Sequence, residues 1–310
     1  MSNAAANWLG LHRPLVRWGP LTGSAFGRLR RGRFGGGRKR AAILCPWDAV
    51  AKNELPAAKQ EGEEVARQLT LLQYDLVPDG CAAFGNKATP TTLDRAITEG
   101  FSILHYTGHG RILDGEEVLM LADEGMGAMG PKVAVPVGRR ELGNLSAGKD
   151  PDARLLHGGP LVVLNSCRTG RQRGFGGQRE DLIWALLEQG AEAVIACALP
   201  VFDKMGEFFG KHLYTLGLPG SLGMGWQFAQ VRGLLEDRFR RLDSRLWPAW
   251  TLFHYHGNPF AHLLHVPAAQ QAADTAQAGP DLRSVAELLK LSGTEEAEAL
   301  LWDIQRRLGR

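Results

Sequence analysis

The sequence has no long uninterrupted apolar run, and this absence limits the kinds of protein it can be. Its 310 residues are 44% hydrophobic, which is enough for one large core or two modest ones. No stretch approaches the roughly 20 apolar residues that cross a bilayer. The N-terminus also lacks the apolar segment of a secretory signal, because Arg13 and Arg17 interrupt it. We therefore expect a cytoplasmic protein that neither spans nor binds a membrane.

Cysteine is scarce, and the four cysteines have neither CxxC nor zinc-finger spacing. Cys45 and Cys197 lie inside apolar runs, which argues against a disulfide scaffold and for a reducing compartment. His105 and His109 are four residues apart, but they lie on a predicted strand and turn, and no HExxH glutamate accompanies them. The sequence predicts no metal site and no cofactor.

Acidic residues are missing from the first 40 positions, which hold nine of the 36 Lys and Arg and none of the 33 Asp and Glu. The rest of the chain therefore has a formal net charge of −6. Glycine-rich and without periodicity, residues 1–40 are predicted to form a flexible basic arm. Four roles stay open for it: contact with nucleic acid, docking on the acidic body, a removable leader, or a solvated arm with no specific role.

From residue 41 to 266 the pattern is that of an α/β domain. Short apolar runs such as 41–45 and 193–197 read as buried strands, and amphipathic segments such as 61–72 and 91–99 read as helices. Strands that alternate with helices predict a mostly parallel sheet with right-handed crossovers.

Residues 267–310 differ in composition and form a linker followed by two predicted short helices. Ser284 and Ser292 each begin a capping box, with a glutamate three residues later. The apolar stripe of the second helix must be covered. It either packs back on the domain or binds a partner protein.

The most informative positions follow two apolar runs that end in polar turns. One run is Phe101–Tyr106, followed by Thr107-Gly-His-Gly110, and the other is Leu161–Leu164, followed by Asn165-Ser-Cys167. In open α/β sheets, chemistry gathers at the carboxyl ends of the strands. His109 and Cys167 are therefore predicted to converge at one edge of the sheet.

The chain resembles the CHAT family of caspase-like peptidases, which are related to caspases and separase, over roughly residues 41–264. The resemblance is carried, in order, by Ala88-Thr-Pro-Thr-Thr-Leu93, Leu104-His-Tyr-Thr-Gly-His-Gly110, Pro160-Leu-Val-Val-Leu-Asn-Ser-Cys-Arg-Thr169, Gly190-Ala-Glu-Ala-Val-Ile-Ala196, Pro200-Val-Phe-Asp203 and the segment 250–259. It implies a caspase-like fold, with a mostly parallel central sheet flanked by helices, and a His109/Cys167 catalytic dyad.

The residue types suit that chemistry. A thiol attacks only as the thiolate, and a free cysteine has a pKa of about 8.5. An imidazole that takes the proton therefore raises the fraction of cysteine present as thiolate at neutral pH. The resemblance implies that the backbone N–H groups of Gly110 and Cys167 stabilise the oxyanion. His105 is predicted to support the site through hydrogen bonds.

Specificity is predicted from four residues near the dyad. Asp203 occupies a position like the one that supplies an acid to the P1 pocket of separase-like enzymes, and Glu207 follows one helical turn later. Either carboxylate would suit a P1 Arg or Lys. Asp203 is equally suited to be the N-cap of a helix beginning at Lys204. Asn165 and Arg168 complete the predicted substrate-binding set.

Three classes of function stay open. The first is a cysteine endopeptidase that cleaves a protein. The resemblance implies that its substrate is a pore-forming or signalling protein and that it acts in bacterial or antiviral defence or in regulated cell death. Such an enzyme would be latent until a partner or cleavage activates it, with self-cleavage sites at residues 28–40 and 168–179. The second is an inactive adaptor that binds partners through its C-terminal helices. The third is a nucleic-acid binder, which the acidic body disfavours except through the basic arm.

Overall fold

The computed structural model describes residues 16–17, 34, 39–50, 53–124, 134–146, 155–169, 181–215, 224–240, 252–258, 261 and 263. The chain divides into two compact units, residues 1–264 and 265–310. The second unit, which contains the predicted C-terminal helices, lies outside the described residues. So do residues 170–179 of the predicted self-cleavage loop 168–179 and most of the basic arm.

The secondary structure follows the alternation predicted from the sequence. The strands are β1 (Val16–Arg17), β2 (Arg40–Cys45), β3 (Asp75–Val77), β4 (Ala83–Phe84), β5 (Ile103–Thr107), β6 (Gly110–Leu113), β7 (Glu116–Ala122), β8 (Ala134–Val137), β9 (Leu161–Asn165), β10 (Ala193–Cys197) and β11 (Phe253–Gly257). The helices are α1 (Pro56–Leu71), α2 (Pro90–Glu99), α3 (Arg139–Ser146), α4 (Leu182–Glu188), α5 (Asp203–Thr215) and α6 (Met224–Arg240).

Eight of the described strands form one sheet, in which the central order is β2-β5-β9-β10 with every neighbouring pair parallel. Strand β11 pairs antiparallel with β10 and also pairs with β1, while β3 and β4 pair with β2. The predicted mostly parallel α/β sheet with flanking helices is confirmed.

Successive residues of the central strands point to opposite faces of the sheet, and each face is covered by helices. On β2, for example, Ile43 packs in one apolar cluster and Leu44 in the other. Residues of α1, α5 and α6 fill the first cluster, and residues of α2, α3 and α4 fill the second. Burial on both faces explains why these strands are short continuous apolar runs.

A second sheet of β6, β7 and β8 is antiparallel and begins at Gly110, directly after His109. The predicted hairpin strand around residues 117–121 is confirmed as β7. Strand β8 was not predicted, because its sequence Ala-Val-Pro-Val contains a proline that argues against a strand interior.

Several helix starts differ from the prediction, and α2, for example, begins at Pro90 and not at residue 91. Helix α1 begins at Pro56, five residues earlier than expected, and α5 begins at Asp203 instead of Lys204. Helix α2 ends as predicted at Gly100, whose φ of 76° lies in the left-handed region that glycine tolerates. No described helix is both long enough and apolar enough to cross a membrane.

Two parts of the basic arm are placed on the domain. Val16–Arg17 pair with β11 as a short parallel strand. Phe34 is fully buried in the cluster that covers the first face of the sheet. Among the roles considered for the arm, these contacts favour docking on the body.

Candidate active site

The register of the central sheet aligns the ends of the two strands that carry the candidate catalytic residues. Thr107, the last residue of β5, is the register partner of Asn165, the last residue of β9. His109 and Cys167 each come two residues later, so both leave the same edge of the sheet at neighbouring strand ends. The sequence prediction that they converge is in keeping with this arrangement.

A tight turn presents Cys167 at the end of β9. Thr169 is fully buried and its hydroxyl donates to the carbonyl of Ser166 at 3.1 Å, which closes the turn under the cysteine. Cys167 is partly exposed, and its Sγ accepts from the backbone N–H of Val201 at 3.4 Å. Arg168 follows with an exposed side chain and a φ of 62°, a strained left-handed conformation for a residue with a Cβ.

His109 is held by a backbone carbonyl. Its Nε2 lies 2.5 Å from the carbonyl oxygen of Asn53, in the segment that precedes α1. Because burial penalises the charged imidazole and Arg111 adds to the effect, the pKa of His109 is lowered from its ordinary value, although the Asn53 carbonyl and Asp203 oppose the shift. The imidazole is therefore neutral at neutral pH.

Gly110 brings the histidine loop against the cysteine turn. A Cβ at this position would overlap the carbonyl oxygen of Cys167 and would lie 2.9 Å from the side chain of Thr169. The absence of a side chain at residue 110 thus allows close packing between the two loops. Gly110 was predicted as an oxyanion donor, and this contact inside the protein gives a separate physical reason for a glycine at this position.

A buried carboxylate, that of Glu61, lies against the ends of the two strands. Glu61, on α1, is 1% exposed and accepts from three side chains of the two strands that carry the site. Its Oε1 lies 2.8 Å from Nε2 of His105 and 2.7 Å from Nδ2 of Asn165, and its Oε2 accepts from the Thr107 hydroxyl at 2.8 Å. The Glu61 network, defined as Glu61, His105, Thr107, Asn165 and Tyr214, therefore joins α1 to both strand ends.

Tyr214 completes this network through His105, on the side of the imidazole away from Glu61. The other ring nitrogen of His105, Nδ1, lies 2.9 Å from the Tyr214 hydroxyl, and both side chains are fully buried. Burial raises the pKa of Tyr214 well above its ordinary value, and the nearby Glu61 adds to the rise. His105 was predicted to support the site through hydrogen bonds, and these contacts are of that kind.

Asn165 was predicted to bind substrate, but its side chain faces inward. It is 4% exposed, and its Nδ2 donates to Glu61 and, at 2.7 Å, to the carbonyl of Gly206. In this structure the side chain cannot line an open pocket, because both amide hydrogens are used inside the protein.

Asp203 and Glu207, the predicted P1 acids, both have partners within the protein. The Asp203 carboxylate accepts from the backbone N–H groups of Ala57 and Ala58 at 3.0 and 3.2 Å. It therefore caps α1, and not a helix beginning at Lys204 as the sequence suggested. Glu207 is bound by two lysines of its own helix at 2.7 and 2.6 Å. Although burial raises the pKa of Glu207, the hydrogen bonds from these lysines outweigh it and lower the pKa overall.

The other cysteines differ from Cys167 in burial. Burial raises the pKa of Cys197 to about 12 and that of Cys45 further, so neither forms a thiolate readily. Cys81 is exposed. Within the described part of the chain, no group of three or more His, Cys, Asp or Glu is arranged to hold a metal ion.

Sequence reasoning missed Glu61, Tyr214 and the Asn53 carbonyl. Glu61 shares a helical stripe with Val65 and Leu69, and a charge on an apolar stripe is the signal that could have revealed it. The Asn53 carbonyl gives no signal, because a backbone atom can be supplied by any residue type.

Comparisons with known proteins agree with this architecture. The model of the CHAT domain matches residues 28–221, and no curated protein matches the sequence. The solved structure of the Arg-specific cysteine proteinase gingipain R is similar over 75% of this chain and 49% of that chain, with a TM-score of 0.50 and 13% identity.

Two further solved structures are similar at lower scores. The complex of the pro- and mature domains of RgpB from Porphyromonas gingivalis matches over 73% of this chain and 48% of that chain, with a TM-score of 0.49 and 14% identity. The separase–securin complex of Saccharomyces cerevisiae matches over 78% of this chain and 13% of that chain, with a TM-score of 0.47 and 15% identity.

The chain spans about half the length of the gingipain chains that it matches. The CHAT domain match covers more than half of this chain and contains both His109 and Cys167. The likeness to gingipain R is a likeness of fold. The chain therefore belongs to the CHAT domain family and has a caspase-like fold.

Proposed function

We propose that the protein is a cysteine endopeptidase in which Cys167 is the nucleophile and His109 the general base. The observation that supports this most is the paired register of Thr107 and Asn165, from which the two candidates follow at equal distance along the chain. The packing of Gly110 on the peptide of Cys167 also brings the two loops together.

The contact with Asn53 assigns the two ring nitrogens of His109 in this proposal. A carbonyl oxygen only accepts, so Nε2 carries the hydrogen and donates it to Asn53. Nδ1 then has the free lone pair and takes the proton from Sγ of Cys167. The lowered pKa of His109 keeps this nitrogen unprotonated at neutral pH.

The reaction then follows in two stages. The Cys167 thiolate attacks the peptide carbonyl carbon, and the imidazolium of His109 returns its proton to the leaving amine, which breaks the C–N bond and leaves a thioester. Water, deprotonated by His109, hydrolyses the thioester and frees the thiol. The backbone N–H groups of Gly110 and Cys167 stabilise the oxyanion in both stages, a contribution worth about 10²–10³ in rate for a single donor in other enzymes.

For specificity, we propose cleavage after a P1 Arg or Lys. Asp203 lies within electrostatic reach of His109, and Val201, two residues before it, contacts the nucleophile. Gingipain R, whose fold the chain shares, is described as Arg-specific. Leu199 and Phe202, at 45% and 65% exposure, flank this loop and offer an apolar surface beside the P1 site. Glu207 and Arg168 belong to the same proposed binding region.

The biological setting is proposed on the family resemblance. The substrate is a protein of the pore-forming or signalling kind, cleaved in the cytoplasm during defence or regulated cell death. The enzyme is latent until it is activated, and self-cleavage within residues 28–40 or 168–179 or a bound partner provides the trigger.

The test is cleavage of a fluorogenic peptide library with varied P1 by the purified protein. Activity that is lost in both Cys167→Ala and His109→Ala and that prefers P1 Arg or Lys would support the whole proposal. Activity that depends on the dyad but prefers another P1 would keep the enzyme and remove the basic pocket. Cleavage unaffected by Cys167→Ala, or no cleavage after limited proteolysis of the protein, would contradict the peptidase and favour the adaptor.

A further inference from the structure

Helix α1 begins without a cap of its own. The residue before it, Leu55, has an apolar side chain that cannot accept a hydrogen bond, and Pro56 has no N–H to donate. The next two backbone N–H groups, those of Ala57 and Ala58, are bound by the two oxygens of Asp203. A carboxylate from a distant part of the chain therefore caps this helix, and its negative charge suits the positive end of the helix dipole.

The segment just before α1 carries the acceptor for His109. Asn53 lies three residues before Pro56, and its carbonyl oxygen is bound by Nε2 of the imidazole. The backbone N–H of Leu55 donates to the carbonyl of Trp47 at 2.9 Å, which closes the loop that contains Asn53. The position of the Asn53 carbonyl is thus tied to the first turn of α1.

The chain just before Asp203 contacts the proposed nucleophile. Val201, two residues earlier, contacts Sγ of Cys167 through its backbone N–H. Segment 201–203 is therefore linked to Cys167 at one end and, through α1 and Asn53, to His109 at the other. A hydrogen-bonded connection of this kind can hold two catalytic groups in register.

We propose that Asp203 is a positioning residue of the dyad, which fixes the first turn of α1 and through it the Asn53 carbonyl that orients His109. The inference rests on the proposed function and deepens it, because it gives Asp203 a role that does not depend on the P1 side chain. Three groups face the imidazole from different elements: the Asn53 carbonyl from the loop before α1, Arg111 from β6 and Asp203 from α5.

The test measures Cys167 reactivity without any P1 group. The full chain is treated with iodoacetamide at neutral pH, and alkylation of each cysteine is followed by mass spectrometry. Exposed Cys81 is the internal reference. His109→Ala sets the rate without the base. We expect Asp203→Ala to slow alkylation of Cys167 about five- to tenfold, the size of a lost helix cap, and Asp203→Asn, which keeps one acceptor oxygen, to slow it about threefold.

Asp181→Ala is the matched control. It removes another capping aspartate, whose Oδ1 accepts from the N–H of Trp184 at 2.7 Å at the start of α4, a helix on the opposite face of the sheet. We expect it to leave the Cys167 rate unchanged. An unchanged rate in Asp203→Asn and Asp203→Ala, or an equal loss in Asp181→Ala, would overturn the positioning role. If Asp203→Ala does not fold, Asp203→Asn alone decides.

Failure of the proposed function gives a different result. If His109→Ala leaves Cys167 as reactive as in the unmodified chain, there is no dyad, and both proposals fall. If only the P1 role of Asp203 exists, its substitution raises KM for Arg and Lys peptides and leaves alkylation unchanged. The positioning role instead lowers kcat for charged and uncharged P1 peptides alike.

Discussion

At the scale of single residues, the environment of His109 sets its protonation. Burial and Arg111 lower its pKa, while the Asn53 carbonyl and Asp203 raise it by a smaller amount. We expect the His109 ring to titrate below the ordinary value of about 6.5 when followed by NMR in the Cys167→Ala variant, which removes coupling to the thiol. Arg111→Gln should raise this pKa and Asp203→Asn should lower it.

The sign of the linked stability effect follows from the same shift. Because the pKa of His109 is lower in the folded protein, the folded state resists protonation. The associated stability is present above the unfolded pKa and is lost as the pH falls through the folded value. A His109 resonance that titrates at or above 6.5 in Cys167→Ala would contradict this picture of the site.

Glu61 is the buried residue on which the strand ends depend. Three donors converge on its carboxylate, from His105, Thr107 and Asn165. We expect Glu61→Leu to lower the free energy of unfolding by about 3–5 kcal/mol, because those donors lose their acceptor. Glu61→Gln keeps a carbonyl oxygen and should cost only about 1 kcal/mol. Urea denaturation measures both, and equal losses would mean that the carboxylate matters only for its volume.

At the scale of elements, α1 and α5 pack closely because α5 presents glycines to the Glu61 network. A Cβ at Gly206 would lie 3.0 Å from Oδ1 of Asn165, and one at Gly210 would overlap the carboxylate of Glu61. Small residues one helical turn apart therefore allow the two helices to approach around a buried charge.

Gly210→Ala tests this packing. We expect a loss of about 1–3 kcal/mol in the free energy of unfolding, because the added methyl displaces Glu61 from its donors. Gly233→Ala on α6 is the control, since a Cβ there meets nothing within 4 Å. It should stabilise the protein by about 0.5–1 kcal/mol through helix propensity. Equal effects of the two changes, measured by urea denaturation, would argue against the close contact.

The sequence predicts best those strands whose burial is evident from their own residues. Strand β10 matches the predicted residues 193–197, and β9 matches within one residue, because a continuous apolar run between polar turns has few alternatives. The start of α1 could not be predicted, since the cap that fixes it at Pro56 is Asp203, 146 residues away from Ala57. Likewise the inward turn of Asn165 depends on Glu61, which is 104 residues away in the sequence.

At the scale of the whole molecule, the sheet order explains why the sequence can predict that His109 and Cys167 converge. It also explains why the sequence cannot predict the groups that surround them. Parallel neighbours β5 and β9 must end at one edge, so residues shortly after both strands come together whatever their identity. The groups that orient them come from α1 and α5, which are distant in sequence. Tertiary contacts of that kind leave no periodic signal.

The N-terminal segment is where the whole molecule departs most from a flexible basic arm on an acidic body. A flexible arm would leave an apolar side chain such as Phe34 in solvent, but the Phe34 side chain lies in the core cluster with 0% exposure. The remainder of the chain has a net charge of −6, which attracts the Lys and Arg residues of the basic arm. This attraction favours docking of the arm at low ionic strength.

We therefore expect Phe34→Ala to lower the free energy of unfolding by about 3–5 kcal/mol, as for other phenylalanines removed from a core. Leu71→Ala is the matched control, because Leu71 is 54% exposed and should change stability by less than about 0.5 kcal/mol. A free arm would make both substitutions neutral. Urea denaturation of the full chain decides between them, and a loss confined to Phe34→Ala would make this segment part of the folded domain that carries His109 and Cys167.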